Sequence, residues 1–231
     1  MPNWCSNTLT VTGPADEIER FRKESTGLPP QYHRDDSHLT EKEKEVFETE
    51  KVFEPEILNF HSLVPVPDEI LEFGFSHQYE RDENGVPKKN ETGGLVHKEG
   101  LCGYDAQIKL WGTKWGACEV TEQSSASGTN YSPPSENDSD EWVQYSFDTA
   151  WSPPEIWVKT VAPLFPDCVF TLSYIEEGCD FQGCLLLKGE CEIVNETTKV
   201  TFQSHADREG EHHAWDIYDI DSRLEEANGS I

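Results

Sequence analysis

Between Asn7 and Thr12 the chain alternates residue by residue, with Leu9 and Val11 on one side and Thr8, Thr10 and Thr12 on the other. A period of two is the signature of a half-buried strand. Gly13-Pro14 ends that strand and places a proline at a helix start, where a missing N–H costs nothing. Asp16 and Glu17 suit the positive end of the helix that follows, and Ile18 and Phe21 supply its inward face. The chain therefore opens as strand, tight turn, helix.

The same patterns recur further on. Tyr104 to Trp115 is helical in spacing, with Ile108, Trp111 and Trp115 at i, i+3 and i+7. A strand is expected around Ala117 to Glu122, and another at Trp142, Tyr145 and Phe147, with Trp142 out of phase with the other two. Ser152-Pro153-Pro154-Glu155 reads as an N-cap serine, proline in the first turn and glutamate at the capping-box position. Trp157, Thr160, Val161 and Leu164 follow at helical spacing until Pro166. Cys168 to Ile175 and Gly183 to Lys188 read as strands, and Cys191 to Phe202 as an edge hairpin turning at Asn195-Glu196. In order these are strand, helix, strand, strand, helix, strand, with a strand or two appended. That is the α+β, ferredoxin-like split βαβ arrangement, an antiparallel sheet with helices on one face.

Polar insertions interrupt this core at about 27–60, 74–102 and 122–140, and residues 203–231 form an acidic tail. The first insertion holds a possible capping box at Thr40 and Glu43 and a solvated helix from Glu41 to Lys51. Asp68 to Phe73 gives a helical turn or two. Asn84-Gly85 and Gly93-Gly94 turns would tip a protruding hairpin. In the tail, Trp215, Ile217, Tyr218 and Ile220 suggest partial docking. A single domain, residues 1–202, carries the fold.

Charge dominates the composition: 45 acidic against 18 basic residues in a chain of 231, a formal −27. Such a surface repels nucleic-acid backbones and anionic membranes. It serves solubility, adaptation to a salty host, or imitation of a polyanion; duplex DNA presents about one charge per 1.7 Å of axis. Aromatic residues make up 11%, which argues for a compact core rather than disorder. No apolar run approaches the roughly 20 residues that span a bilayer. The first residues have neither a basic region nor an apolar stretch, so a reducing cytoplasm is expected. The seven cysteines include no C-x-x-C pair. Cys179, Cys184 and Cys191 with His205 or His212 match no common zinc spacing, so neither metal nor cofactor is expected.

Three aromatic segments sit at element ends: Pro2-Asn3-Trp4-Cys5-Ser6-Asn7, Trp111-Gly112-Thr113-Lys114-Trp115 and Phe147-Asp148-Thr149-Ala150-Trp151-Ser152-Pro153-Pro154. With Tyr174-x-Glu176-x-Gly178 and Phe181-x-Gly183, they resemble the YubB-like ferredoxin-like family found on phages, conjugative plasmids and other mobile elements. The resemblance covers Pro2 to about Gly189. It implies the fold and a mobile-element origin, and no reaction.

Two readings of these segments stand side by side. In the architectural one, the Trp rings are core and Asn3, Asn7, Thr113 and Ser152 satisfy their N–H groups, while Lys114 pairs with Asp148. In the other, Trp4, Trp111, Trp115 and Trp151 wall a pocket in which Asn3 and Lys114 orient a nucleotide. Asp148, Glu176, Glu177 and His61 are available acids and bases, but no catalytic motif frames them. His212-His213 reads as a solvated pair. The expectation is a non-enzymatic acidic protein that binds a host protein, a basic, nucleic-acid-handling or defence protein, without contacting nucleic acid or membrane. The alternative is a small-molecule, nucleotide-binding protein.

Overall fold

The computed structural model describes residues 3–33, 53–98, 100–125 and 140–199. The expected helix at 41–51, most of the 122–140 insertion, the tail with its apolar residues, and His205, His212 and His213 lie outside these residues. The elements are β1 (Trp4–Gly13), α1 (Ala15–Glu24), α2 (Phe60–Leu63), α3 (Asp68–Phe73), α4 (Gly103–Trp111), β2 (Cys118–Ser124), β3 (Glu141–Ala150), α5 (Glu155–Val161) with a 3-10 turn over Ala162–Leu164, β4 (Val169–Glu176), β5 (Phe181–Lys188) and β6 (Cys191–Lys199). The strands form one six-stranded sheet in the order β2-β3-β1-β4-β5-β6, and every neighbouring pair is antiparallel. Its first four strands, with α1 and α5, are the βαββαβ order read from the sequence; β5 and β6 extend the sheet.

The strand register sorts the side chains by face. Cys5, Asn7, Leu9 and Val11 stand opposite Thr149, Phe147, Tyr145 and Val143, and all face the helices. Trp142 pairs with Thr12 and so points to the opposite face, which explains its phase against Tyr145 and Phe147. That second face is also partly covered: Trp142, Leu186 and Cys184 are buried, outside the main core cluster. The Leu185-Leu186-Leu187 run is apolar throughout because its members are buried on alternate sides.

The core under the helices is aromatic. Phe60 stacks on Trp157 with centroids 4.5 Å apart and meets Trp111 and Phe147 edge-on. The indole N–H groups of Trp157 and Trp111 donate to the carbonyls of Phe60 and Val64, at 3.0 and 2.9 Å. Thus α2, nominally part of an insertion, closes the centre of the core.

Four local expectations need correction. Helix α4 ends at Trp111 because Gly112 takes a left-handed φ of 83°, so Trp115 lies beyond it, and Ile108 is exposed while Ala106 and Gln107 turn inward. Ser152 does not cap α5: Pro154 holds that position, and the Ser152 hydroxyl donates to the Gly112 carbonyl at 2.6 Å. In α5 the inward residues are Trp157, Val158 and Val161, whereas Thr160 is exposed with its hydroxyl on the Ile156 carbonyl and Leu164 is exposed in the 3-10 turn that follows. Asn195-Glu196 makes no hairpin, since β6 runs straight through as a partner of β5. The Asn84-Gly85 and Gly93-Gly94 turns do form, with positive φ at Gly85 and Gly93, between short bridges such as Arg81–Pro87 and Lys89–Leu95.

Trp157 has no exposed surface and fills the middle of this core. Trp157→Ala is expected to lower stability by about 3–5 kcal/mol, measured as urea unfolding. Trp4→Ala, at a ring 43% exposed, is expected to cost under about 1 kcal/mol.

Candidate functional site

The aromatic segments meet at one end of the sheet, where β1 begins, β3 and β4 end and β5 starts. Hydrogen bonds between them make that end one unit. The buried Asn7 amide donates to the Cys5 carbonyl at 2.7 Å and to Thr149 Oγ1 at 2.9 Å. Thr149 Oγ1 donates to the Ser152 carbonyl at 2.7 Å, and Ser152 Oγ reaches Gly112. The Trp151 backbone N–H donates to the Asn3 carbonyl at 3.0 Å. Thr113 Oγ1 donates to the Trp115 carbonyl, closing the turn after α4.

The remaining motif residues have equally local reasons. The Glu176 carboxylate, buried, accepts from the backbone N–H groups of Gly178 and Cys179 and so shapes the β4–β5 turn. At Gly178 a Cβ would meet the Asn3 amide and displace that side chain. Gly183, opposite Tyr174 in the ladder, leaves room for the tyrosine ring, which a Cβ would overlap. The Tyr174 hydroxyl donates to Glu155 at 2.6 Å, tying β4 to α5. Burial, then this carboxylate, pushes the phenol well above its usual range.

The expected site residues therefore divide. Asn7 and Trp111 are core: Asn7 is spent on the backbone and Thr149, and Trp111 lies under Phe60 and Val64. Lys114 does not pair with Asp148. Its ammonium lies over the rings of Trp115 and Tyr104, 4.9 and 5.2 Å from their centroids, while Asp148 accepts from Ser6 Oγ at 2.9 Å. Asn3 reaches Cys179 Sγ at 3.7 Å. Trp4 and Trp115 touch, with centroids 5.9 Å apart. Trp4 and Trp151 are both nearly half exposed. What remains for a ligand is the Trp4–Trp115 pair with Lys114 and Asn3 at its margin, and the exposed Trp151 on the adjoining turn bonded to Asn3. Glu119, at the start of β2, and Glu177 and Asp180, in the β4–β5 turn, are exposed carboxylates.

Tyr104, partner of Lys114, was not singled out from the sequence, nor was Thr149, the hinge of the hydrogen-bond chain; only the T-A-W-S segment hinted at the latter. Of the available acids and bases, Glu176, Asp148 and His61 are held by hydrogen bonds within the fold, and Glu177 is exposed. His61 Nδ1 accepts from the Val66 N–H at 2.9 Å, and burial lowers its pKa. Cys179 and Cys191 flank β5 at opposite ends and Cys184 lies within it. At about 3.3 Å per residue, these three thiols do not converge on one ion.

Cys5 and Cys168 in the core, and Tyr32 beneath α4, are each held up to about 12 by burial. Folded, they keep their protons where the unfolded chain has lost them, above 9.0 for the thiols and 10.0 for the phenol. Their contribution is complete below those values and disappears as pH rises toward 12. The urea midpoint is therefore expected to fall between pH about 9 and about 12, and Cys5→Ala to reduce that slope. In the native protein Cys179 and Cys191, both exposed, should alkylate while Cys5 does not.

Residues 130–226, less than half the chain, match the family model described as the ferredoxin-like domain in Api92-like protein. The crystal structure of a protein api92 from Yersinia pseudotuberculosis superimposes with a TM-score of 0.52, over 88% of this chain and 100% of that one, at 9% identity. That likeness is one of fold. No curated protein matches the chain, and no helix among the described residues is long and apolar enough to cross a membrane. The chain carries a ferredoxin-like domain similar to that of Api92-like proteins.

Proposed function

We propose that this is a non-enzymatic binding protein of a mobile genetic element, which engages a basic host protein through the aromatic end of its sheet and the carboxylates around it. Trp151 carries the reading. It holds a left-handed φ of 74° and is 46% exposed. A non-glycine residue in that region costs of order 1–3 kcal/mol and persists where its surroundings over-determine it. Here the strain is spent on presenting a large ring to solvent, next to an exposed Trp4, where the ring gains little from burial. Exposed aromatic rings of this kind mark interaction surfaces.

The chemistry around them favours a cationic partner. Arginine and lysine side chains bind over indole faces, and Glu119, Glu177 and Asp180 would meet them at the rim. The charge of −27 steers basic partners inward and repels polyanions. A nucleotide fits less well, since its phosphates would approach those carboxylates, and Lys114 is already drawn over two rings. The mobile-element part rests on the resemblance of the aromatic motifs.

Immobilised protein is expected to retain basic proteins from a bacterial host lysate at low salt and release them as salt rises. Trp4→Ala and Trp151→Gly should each weaken the captured complex by about 2 kcal/mol, roughly thirtyfold. Trp151→Gly should leave stability within about 1 kcal/mol, because glycine takes the left-handed backbone without strain. Capture that survives both substitutions overturns the aromatic contact. A tryptophan fluorescence change on adding mononucleotides, abolished by Trp4→Ala, transfers the surface to a nucleotide.

A further inference from the structure

A separate cluster lies at the other end of α4. Cys102 is the residue before the helix and Asp105 is in its first turn, so the helix itself sets their spacing. His77 comes from the insertion before α4. Two backbone hydrogen bonds fasten that segment to the helix start: Gly103 N–H to the Gly74 carbonyl at 3.0 Å, and Tyr104 N–H to the Phe75 carbonyl at 2.9 Å. The three side chains meet as a result. Cys102 Sγ is 3.4 Å from Asp105 Oδ2 and 3.7 Å from His77 Nδ1, and His77 Nε2 is 3.6 Å from the same Asp105 oxygen. One donor atom from each residue lies within 4.8 Å of the other two.

We infer that His77, Cys102 and Asp105 form a binding site for a divalent transition-metal ion, with zinc the best match to one thiolate, one imidazole and one carboxylate. Tetrahedral zinc with bonds of about 2.0–2.3 Å spaces its donors about 3.3–3.8 Å apart; the Sγ–Oδ2 and Sγ–Nδ1 separations fall in that range, and the remaining pair lies within 4.8 Å. Only one nitrogen of His77 ligates, so its ring turns slightly, and the side chain is half exposed and able to do so. The fourth position falls to water. The ring of His97 stands edge-on to His77 at 5.5 Å. On binding, a metal–sulfur bond forms and the Cys102 S–H proton leaves to solvent, so affinity falls as pH is lowered.

The same three groups could be read as a nucleophile, base and orienting acid. Two facts oppose that reading. Cys102 Sγ is fully buried, so no substrate reaches it, and burial raises its thiol instead of activating it. A metal enters instead from the side of the exposed histidine.

The test is a titration of the full chain with Co(II), after treatment with a chelator and under reducing conditions. One equivalent should produce a thiolate-to-cobalt charge-transfer band and the intense visible bands of four-coordinate cobalt, both bleached by Zn(II). Cys102→Ser should remove the charge-transfer band, and His77→Ala and Asp105→Asn should each weaken binding at least about tenfold. The paired substitution Cys179→Ser with Cys191→Ser should leave the spectrum unchanged. If Cys102→Ser does not fold, His77→Ala, at a half-exposed loop side chain, carries the test. Absence of a thiolate band, a band that survives Cys102→Ser, or a cobalt affinity unchanged by His77→Ala overturns the inference.

Discussion

A carboxamide placed among apolar side chains must find partners inside the protein or destabilise it by roughly 1–3 kcal/mol for each group left unpaired. Asn7 sits in that position, on the helix-facing side of the central strand, and its solution organises the motif end of the molecule. Its amide holds Thr149, the hydroxyl of Thr149 holds the backbone of Ser152, and Ser152 holds the end of α4. Each bond fixes the donor of the next, so the β3–α5 turn and the α4 C-terminus have one mutual geometry. Replacing any member by an apolar residue would leave its neighbour as the unpaired group, which is the sense in which such a chain is worth more than its separate bonds.

That dependence also explains how Trp151 can hold a strained backbone. Its N–H is bonded to Asn3, the residue after it is bonded to Gly112, and the residue before it lies in the β1–β3 ladder. The strain is distributed over contacts on both sides, and the ring is the only part left free of the core. The four tryptophans of the motifs therefore do two jobs. Trp111 joins Trp157 in the packed centre, and Trp4, Trp115 and Trp151 lie outside it.

The order of the elements was legible because period-two and helical spacings survive at Asn7–Thr12, Trp142–Phe147 and Cys168–Ile175, whatever the insertions between them do. The burial of individual motif residues was not. A Trp-Gly-Thr-Lys-Trp segment reads as a continuing helix until one knows that Gly112 is left-handed, and glycine's tolerance of that conformation makes either outcome compatible with the sequence. The role of α2 was hidden for a different reason: four residues are too few to show a period, so Phe60 looked like part of an insertion. Tyr174 with Gly183, and His77 with Cys102, are pairings across the fold, and a single sequence carries no sign of who faces whom.

Helix α4 is the element that connects the two sites. Its C-terminal end presents Lys114 and Trp115 to the aromatic surface, and its N-terminal end holds Cys102 and Asp105. Nine residues at 1.5 Å each separate these ends by about 13 Å, beyond the Debye length of about 8 Å at physiological ionic strength. A divalent charge at one end is thus largely screened from carboxylates at the other. Any coupling between them must run through packing, and the helix is clamped at its middle by Gln107 on Tyr32 and at Trp111 by Phe60 and Val64. Those anchors resist a shift of the helix along its axis, which is the motion that would carry a displacement from one end to the other. The exposed aromatic rings thus belong to core segments around Trp4, Trp115 and Trp151, whereas the thiol–imidazole–carboxylate cluster is assembled where the insertion carrying His77 is bonded to the start of α4.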